Sequence, residues 1–238
     1  VTPGTLYVVA TPIGNLEDIT LRALRVLKEV GLVACEDTRR TRTLLTHFGI
    51  HVPVTSYFEH NKLAKGPAIL RTLREGRSVA LVTDAGTPGI SDPGFLLVRE
   101  ARAAGIAVVP VPGPSAVVTA LSAAGIPADS FVFEGFLPVK PGKRIHRLEA
   151  LRDLEMTIVC YESPHRLLAT LEAVGQVFGQ VEIVVARELT KQFEEIVRGT
   201  PEAVREGFAA GAVRGEFTLV IPYAKPRHVD ESSGFATC

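Results

Sequence analysis

The sequence predicts an α/β protein whose first half is a doubly wound, mostly parallel sheet, and two observations carry that expectation. Short apolar runs alternate with amphipathic stretches from residue 6 to residue 111, the pattern of repeated β-α units. One of those runs, Val-Ala-Leu-Val at 79–82, is continuous, as in a strand buried on both faces, and it leads into a loop at 84–94 rich in glycine and proline. Ligands of such sheets sit at the carboxyl ends of the strands. Gly86 and Gly89 allow close backbone approach, Asp84 can accept from a hydroxyl or amino group, and Thr87 and Ser91 can donate or accept. A plain strand-to-helix connection is shorter and less rich in these residues, so a ligand loop is expected.

The elements follow in order. A strand at 6–11 runs into the turn Pro12-Ile13-Gly14-Asn15, and Thr20 is placed to cap a helix with Leu21, Leu24, Leu27 and Val30 on one stripe. A strand at 32–35 ends in a charged loop, 36–42, before a helix that Gly49 stops. A strand at 52–58, a helix at 62–75, the central strand, a helix beyond its loop and a strand at 106–111 complete the first domain, 1–112. Pro112-Gly113-Pro114 marks a boundary, because neither helix nor strand interiors accept that triplet. The second domain, 113–223, carries a small-residue helix at 115–124, strands at 130–136, 156–161, 181–186, 194–198 and 217–222, a helix capped by Ser163-Pro164, and another from Thr200. The remaining tail, 224–238, is polar and aperiodic and is expected to be loose.

Composition narrows the function. The 26 basic and 26 acidic residues cancel, so any phosphate contact must come from a local patch. Cys35, Cys160 and Cys238 have no C-x-x-C spacing, which suggests neither a zinc site nor a disulfide framework. No apolar run reaches membrane-spanning length, and a cytoplasmic location is expected. The dinucleotide-binding glycine motif, the P-loop and the hydrolase nucleophile elbow are all absent.

What remains is a set of loops at strand ends, and their residues carry a resemblance. Leu-Tyr-Val-Val-Ala-Thr-Pro-Ile-Gly-Asn-Leu at 6–16, Cys-Glu-Asp-Thr-Arg at 35–39, the loop 83–94, 111–116, Phe-Glu-Gly-Phe-Leu-Pro at 133–138, Tyr-Glu-Ser-Pro-His-Arg at 161–166 and Ala-Arg-Glu-Leu-Thr-Lys at 186–191 together resemble the bacterial ribosomal RNA small-subunit methyltransferase I family, a branch of the tetrapyrrole methylase fold. The match runs in order from about 6 to about 221. One departure is Phe58, where the family often has His.

The resemblance implies two α/β domains with S-adenosylmethionine in the cleft between them, a cytidine ribose 2′-hydroxyl of small-subunit (16S) rRNA as acceptor, and a homodimer. No metal is expected. By loop position, Pro12, Asp84, Gly86, Thr87 and Ile90 would hold the donor, Ser115 and Ala116 would meet its carboxylate, and Tyr161, Glu162, Arg187 and Leu189 would close the adenine side. Ser115 could equally be a simple helix cap, and Tyr161 a core residue. The hydroxyl needs help as a nucleophile, for which Glu36, Arg39 and Lys191 rank first, although Arg39 could instead pair with Glu36 or Asp37. Lys140, Lys143, Arg144 and Arg147 form a basic stretch suited to RNA phosphates or to a solvated helix face. Alternatives are a tetrapyrrole methylase, a nucleotide-binding phosphotransferase, and a non-catalytic RNA-binding assembly factor.

Overall fold

The computed structural model describes residues 2–92 and 94–223, so the expected tail lies outside the described residues. These residues group into two units, one of residues up to 119 joined by 189–193, the other of 120–188 joined by those from 194 on.

The first unit contains β1 (Leu6–Val9), α1 (Leu21–Glu29), β2 (Leu32–Cys35), α2 (Thr38–His47), β3 (Val54–Ser56), α3 (Lys62–Arg74), β4 (Val79–Leu81), α4 (Gly94–Ala103) and β5 (Val108–Val111). Its sheet has the order β3-β2-β4-β1-β5, and every pairing is parallel. Strand alternation divides the core: Val9, Val33, Cys35 and Ala80 pack beneath α1 and α2, while Leu6, Ala34, Val79 and Leu81 pack against α3 and α4. Each buried valine or leucine contributes about 1.5–3 kcal/mol by leaving water. Thr20 caps α1, accepting from the Ala23 amide at 3.0 Å. The buried face of that helix is Ala23, Val26 and Leu27, and Leu21, expected on the stripe, is exposed.

Two boundaries differ from expectation. Asp37 accepts from the Arg39 amide at 2.8 Å and starts α2 directly after β2, which puts Arg39, Arg40 and Arg42 on a helix rather than in a loop. β3 is shorter than 52–58 because Asn61 Oδ1 accepts from the Phe58 amide at 2.8 Å and turns the chain away from the sheet.

α5 (Ala116–Ala124) begins among residues of the first unit and ends among those of the second. The second unit then holds β6 (Phe131–Phe136), α6 (Pro141–Arg152), β7 (Thr157–Glu162), α7 (Leu167–Phe178), β8 (Ile183–Arg187), β9 (Glu195–Gly199), α8 (Pro201–Ala209) and β10 (Phe217–Ile221). The sheet order is β6-β7-β10-β8-β9; β6 and β7 are parallel and the other pairs antiparallel. Leu148, Leu171 and Val204 from the three helices meet Ile158, Cys160, Val185 and Leu219 in one core. A register shift between Phe133 and Gly135 leaves Glu134 bulged, so Phe133 and Phe136 both reach Tyr161, at ring separations of 4.9 and 5.8 Å. α7 starts at Leu167, later than Ser163-Pro164 implies, because the Arg166 and Leu167 amides first close a separate turn on the Ser163 carbonyl.

Candidate active site

Three loops of the first unit are tied together at the carboxyl ends of β1, β4 and β5. Thr11 and Gly86 exchange backbone hydrogen bonds of 2.9 and 3.0 Å, and the Thr87 hydroxyl donates to the Pro114 carbonyl at 3.3 Å. Gly86 has φ +83°, and a Cβ there would sit 3.5 Å from Ile13 Cγ2 and 3.7 Å from the Pro114 oxygen. Only glycine takes that backbone without strain and leaves the space between those loops open. Asp92 receives the Gly89 and Gly94 amides at 2.7–2.8 Å, which anchors the loop to the start of α4. Ile90 is half exposed on this loop, and Ser91, at φ +65°, is a strained non-glycine turn within it. Ser115 accepts through its carbonyl from the Thr119 amide, so Ser115 and Ala116 stand at the amino end of α5.

Asp84 faces elsewhere. Its Oδ1 accepts from the Asp37 amide at 2.9 Å, and Oδ2 lies 3.5 Å from Arg40 Nη1. That direction turns the carboxylate toward the start of α2. Beside it is a pocket of ≈ 250 Å³. Thr11, Thr83 and Asp84 line it from the strand ends, Pro12 and Leu16 from the β1 loop, and Arg40, Thr41, Thr43 and Leu44 from α2. A relay of hydrogen bonds fixes the floor: the Thr11 hydroxyl donates to the Thr83 carbonyl and the Thr83 hydroxyl to Glu36 Oε2, both at 3.1 Å.

Of the expected catalytic set, Glu36 therefore adjoins the pocket through Thr83. Arg39 is largely exposed and doubly bonded to Asp37, at 3.2 and 2.8 Å. Those bonds hold the Asp37 carboxyl down at about 2 and raise the Arg39 guanidinium above its ordinary value. Lys191 is brought from far along the chain to the β1 loop. A Cβ on Gly14 would lie 2.4 Å from Lys191 Cγ, 2.9 Å from Thr190 Oγ1 and 3.0 Å from the Leu189 oxygen, so the approach requires glycine. The segment making it is strained, with Glu188 at φ +50° and Thr190 at φ +66°.

The expected adenine-side residues are divided between the two units. Leu189 is buried in the first unit, whereas Arg187 belongs to the second, where it donates to the Arg214 carbonyl at 2.8 Å and pairs with Glu195 at 3.3 Å. Glu162 lies within β7, not in the loop after it, and alternation turns it into the helix-covered core. There it is 2% exposed and accepts from the Ser163 amide at 2.8 Å and the Thr170 hydroxyl at 2.6 Å, with Arg166 at 3.4 Å. A carboxylate so occupied is an anchor between β7 and α7. Tyr161 points to the opposite face, among Phe133 and Phe136, and burial raises its hydroxyl pKa.

The basic stretch also divides. Arg144 is buried and donates to the Pro138 and Val139 carbonyls at 3.2 and 3.0 Å, which removes it from the RNA-facing set. Arg147 forms a bidentate pair with Glu134 at 2.7 and 2.6 Å. Lys140 and Lys143 are exposed. Among the described residues no cluster of three or more His, Cys, Asp or Glu side chains could hold a metal, and no helix is long and apolar enough to cross a membrane. Sequence reasoning missed Thr83, and it placed Arg40 with Arg39 and Arg42 as a basic surface for RNA without its contact to Asp84. The signals were present: a threonine ending an apolar strand, and a third helical residue after an Asp cap.

Comparison with known proteins places this architecture. Residues 5–204 match the family model of tetrapyrrole (corrin/porphyrin) methylases. The chain is similar to proteins called ribosomal RNA small subunit methyltransferase I: 54% identical over 233 residues to that of Escherichia coli O157:H7, covering 95% of this chain and 80% of the relative. With that of Pseudomonas aeruginosa it shares 51% over 235 residues, covering 97% and 83%. Among solved structures, a cobalt precorrin-4 methyltransferase superposes with a TM-score of 0.70 at 19% identity, covering 92% of this chain and 95% of that one. A uroporphyrin-III C-methyltransferase from Thermus thermophilus complexed with S-adenosyl homocysteine gives 0.65 at 19%, covering 93% and 98%. At such identity the structural likeness shows the fold.

Proposed function

Because this chain belongs to the ribosomal RNA small-subunit methyltransferase I family, within the tetrapyrrole methylases, we propose that it transfers a methyl group from S-adenosylmethionine to the ribose 2′-hydroxyl of a cytidine in small-subunit ribosomal RNA. The observation that supports this site is the tying of three strand-end loops around Gly86, beside a separate pocket lined by α2. The residues fit the donor. Pro12, Gly86, Thr87 and Ile90 offer backbone, hydroxyl and apolar contacts, and Ser115 and Ala116 offer a helix amino end to a carboxylate. Asp84 is reassigned, since its carboxylate serves α2.

When bound, the donor supplies a methyl group already activated by its sulfonium. The protein's own work is to orient the hydroxyl, exclude water and accept a proton. Glu36, held by the Thr83 hydroxyl, is the fitting proton acceptor. Arg39 stays charged and exposed beside Asp37, and Lys191 positions the β1 loop or adds positive charge near it. Lys140 and Lys143 are the phosphate contacts we retain. The acceptor is rRNA, read here as part of the assembled small subunit in the cytoplasm, and the active form is read as a homodimer, as the family resemblance suggests.

The tetrapyrrole reading rests on the broad family model and on fold likeness at identities far below the roughly 50% shared with the rRNA enzymes. Labelled donor offered to the protein with small subunits and uroporphyrinogen in one vessel tests both. Label in the RNA supports the proposal; label in the tetrapyrrole overturns it.

A further inference from the structure

We infer that the pocket between α2 and the β1 loop receives the pyrimidine ring of the acceptor nucleotide, with Asp84 and Arg40 reading it as cytosine. The inference rests on the proposed reaction and adds the group that selects the base. The pocket, at ≈ 250 Å³, is below the roughly 300 Å³ at which ordinary ligand sites begin. It has room for a single flat ring. Pro12, Leu16 and Leu44 supply apolar lining for the ring faces, and Asp84 and Arg40 stand together among the polar lining residues.

That pair has the pattern cytosine needs. Cytosine presents an amino donor at N4 beside acceptors at N3 and O2. A carboxylate is the partner for the first and a guanidinium for the others. Asp84 and Arg40 stand 3.5 Å apart, an ionic contact too long for a tight hydrogen bond, and the Arg40 side chain is 67% exposed, free to turn its donors toward a ring. Asp84 is held by the Asp37 amide, so the acceptor is preorganised. Uracil reverses the pattern: its O4 would face the carboxylate and its N3–H the guanidinium. The ring must be unstacked to enter, as is usual where proteins read RNA in loops and single strands. Thr83 lines the same pocket and bonds Glu36, so a seated base leaves its ribose near the proposed proton acceptor.

The test uses the full chain, labelled S-adenosylmethionine, and small subunits reconstituted with cytidine or uridine at the mapped acceptor position. The wild type is expected to prefer cytidine by about tenfold to a hundredfold, the discrimination of one well-placed pair of base contacts. Asp84→Asn, which can donate to O4, should lose most of that preference. Arg40→Gln, on an exposed side chain that leaves folding intact, should slow transfer to cytidine at least tenfold. Donor affinity by calorimetry should stay at the wild-type value in both. Equal rates on cytidine and uridine by the wild type, unchanged preference in both variants, or loss of donor binding in Asp84→Asn overturns the inference. A wild type inactive on both subunits overturns the proposed function itself.

Discussion

Gly14 shows how one residue positions a distant one. A side chain there would overlap Lys191 and press on the Leu189 oxygen, so the 189–193 segment docks only on glycine. Gly14→Ala should cost about 1–3 kcal/mol, the usual penalty of overpacking, and lower the melting temperature; an unchanged melt would show that the segment yields freely. Glu36→Gln removes the proton acceptor and keeps the shape. Methyl transfer should fall roughly 10²- to 10⁴-fold while donor affinity holds, and full activity in single-turnover assays would remove Glu36 from the mechanism. Asp37 provides a pH marker. Arg39 holds its carboxyl at about 2, below the unfolded value, so its contribution to α2 is complete above the unfolded pKa and is lost as pH falls toward 2. A carboxyl NMR titration should place its midpoint near 2; a midpoint at the ordinary carboxylate value would mean that Arg39 leaves Asp37 in solution. Glu36 was legible from its place after a strand. The contact between Gly14 and Lys191 was not, since residues this far apart in sequence carry no local sign of meeting.

At the scale of elements, β7 and α7 are locked by one buried carboxylate. Thr170→Val would leave Glu162 Oε2 without its hydroxyl donor, at a cost of about 1–3 kcal/mol. Denaturant unfolding should register that destabilisation while donor affinity stays constant. A fall in donor affinity with stability intact would return Glu162 to the ligand-binding group. Sequence pattern made Glu162 a loop residue because the apolar run finishes at Tyr161. Only the pairing of Glu162 with Phe217 shows that the strand continues. Arg144 misled for a similar reason. A run of basic residues after a turn has the same composition whether it is solvated or, as here, folded back on the Pro138 and Val139 carbonyls. The β-α units of the first sheet were legible because each strand is a short apolar run and each helix a periodic one. The mixed sheet of the second unit was not, since strand direction depends on partners and not on pattern.

For the whole molecule, a balance of 26 basic and 26 acidic residues means RNA must be held by local charge. With Arg144 buried and Arg147 paired to Glu134, Lys140 and Lys143 are the two of these four cations that the proposal leaves to RNA phosphates. Replacing both with Ala should reduce the salt slope of subunit binding by roughly 0.7 to 0.9 for each phosphate that a lysine had neutralised. Donor affinity should not change, and an unaltered slope across a salt series would make this a solvated helix face. The central claim is the chemical position of the methyl group. Small subunits lacking the modification are incubated with the protein and labelled donor, and their RNA is digested with alkali and then with nucleases. A methyl on the 2′-oxygen blocks alkaline cleavage at that linkage, so the account predicts label in one alkali-resistant dinucleotide that yields 2′-O-methylcytidine. Label released in a mononucleotide, on a base, or on a nucleoside other than cytidine would contradict it.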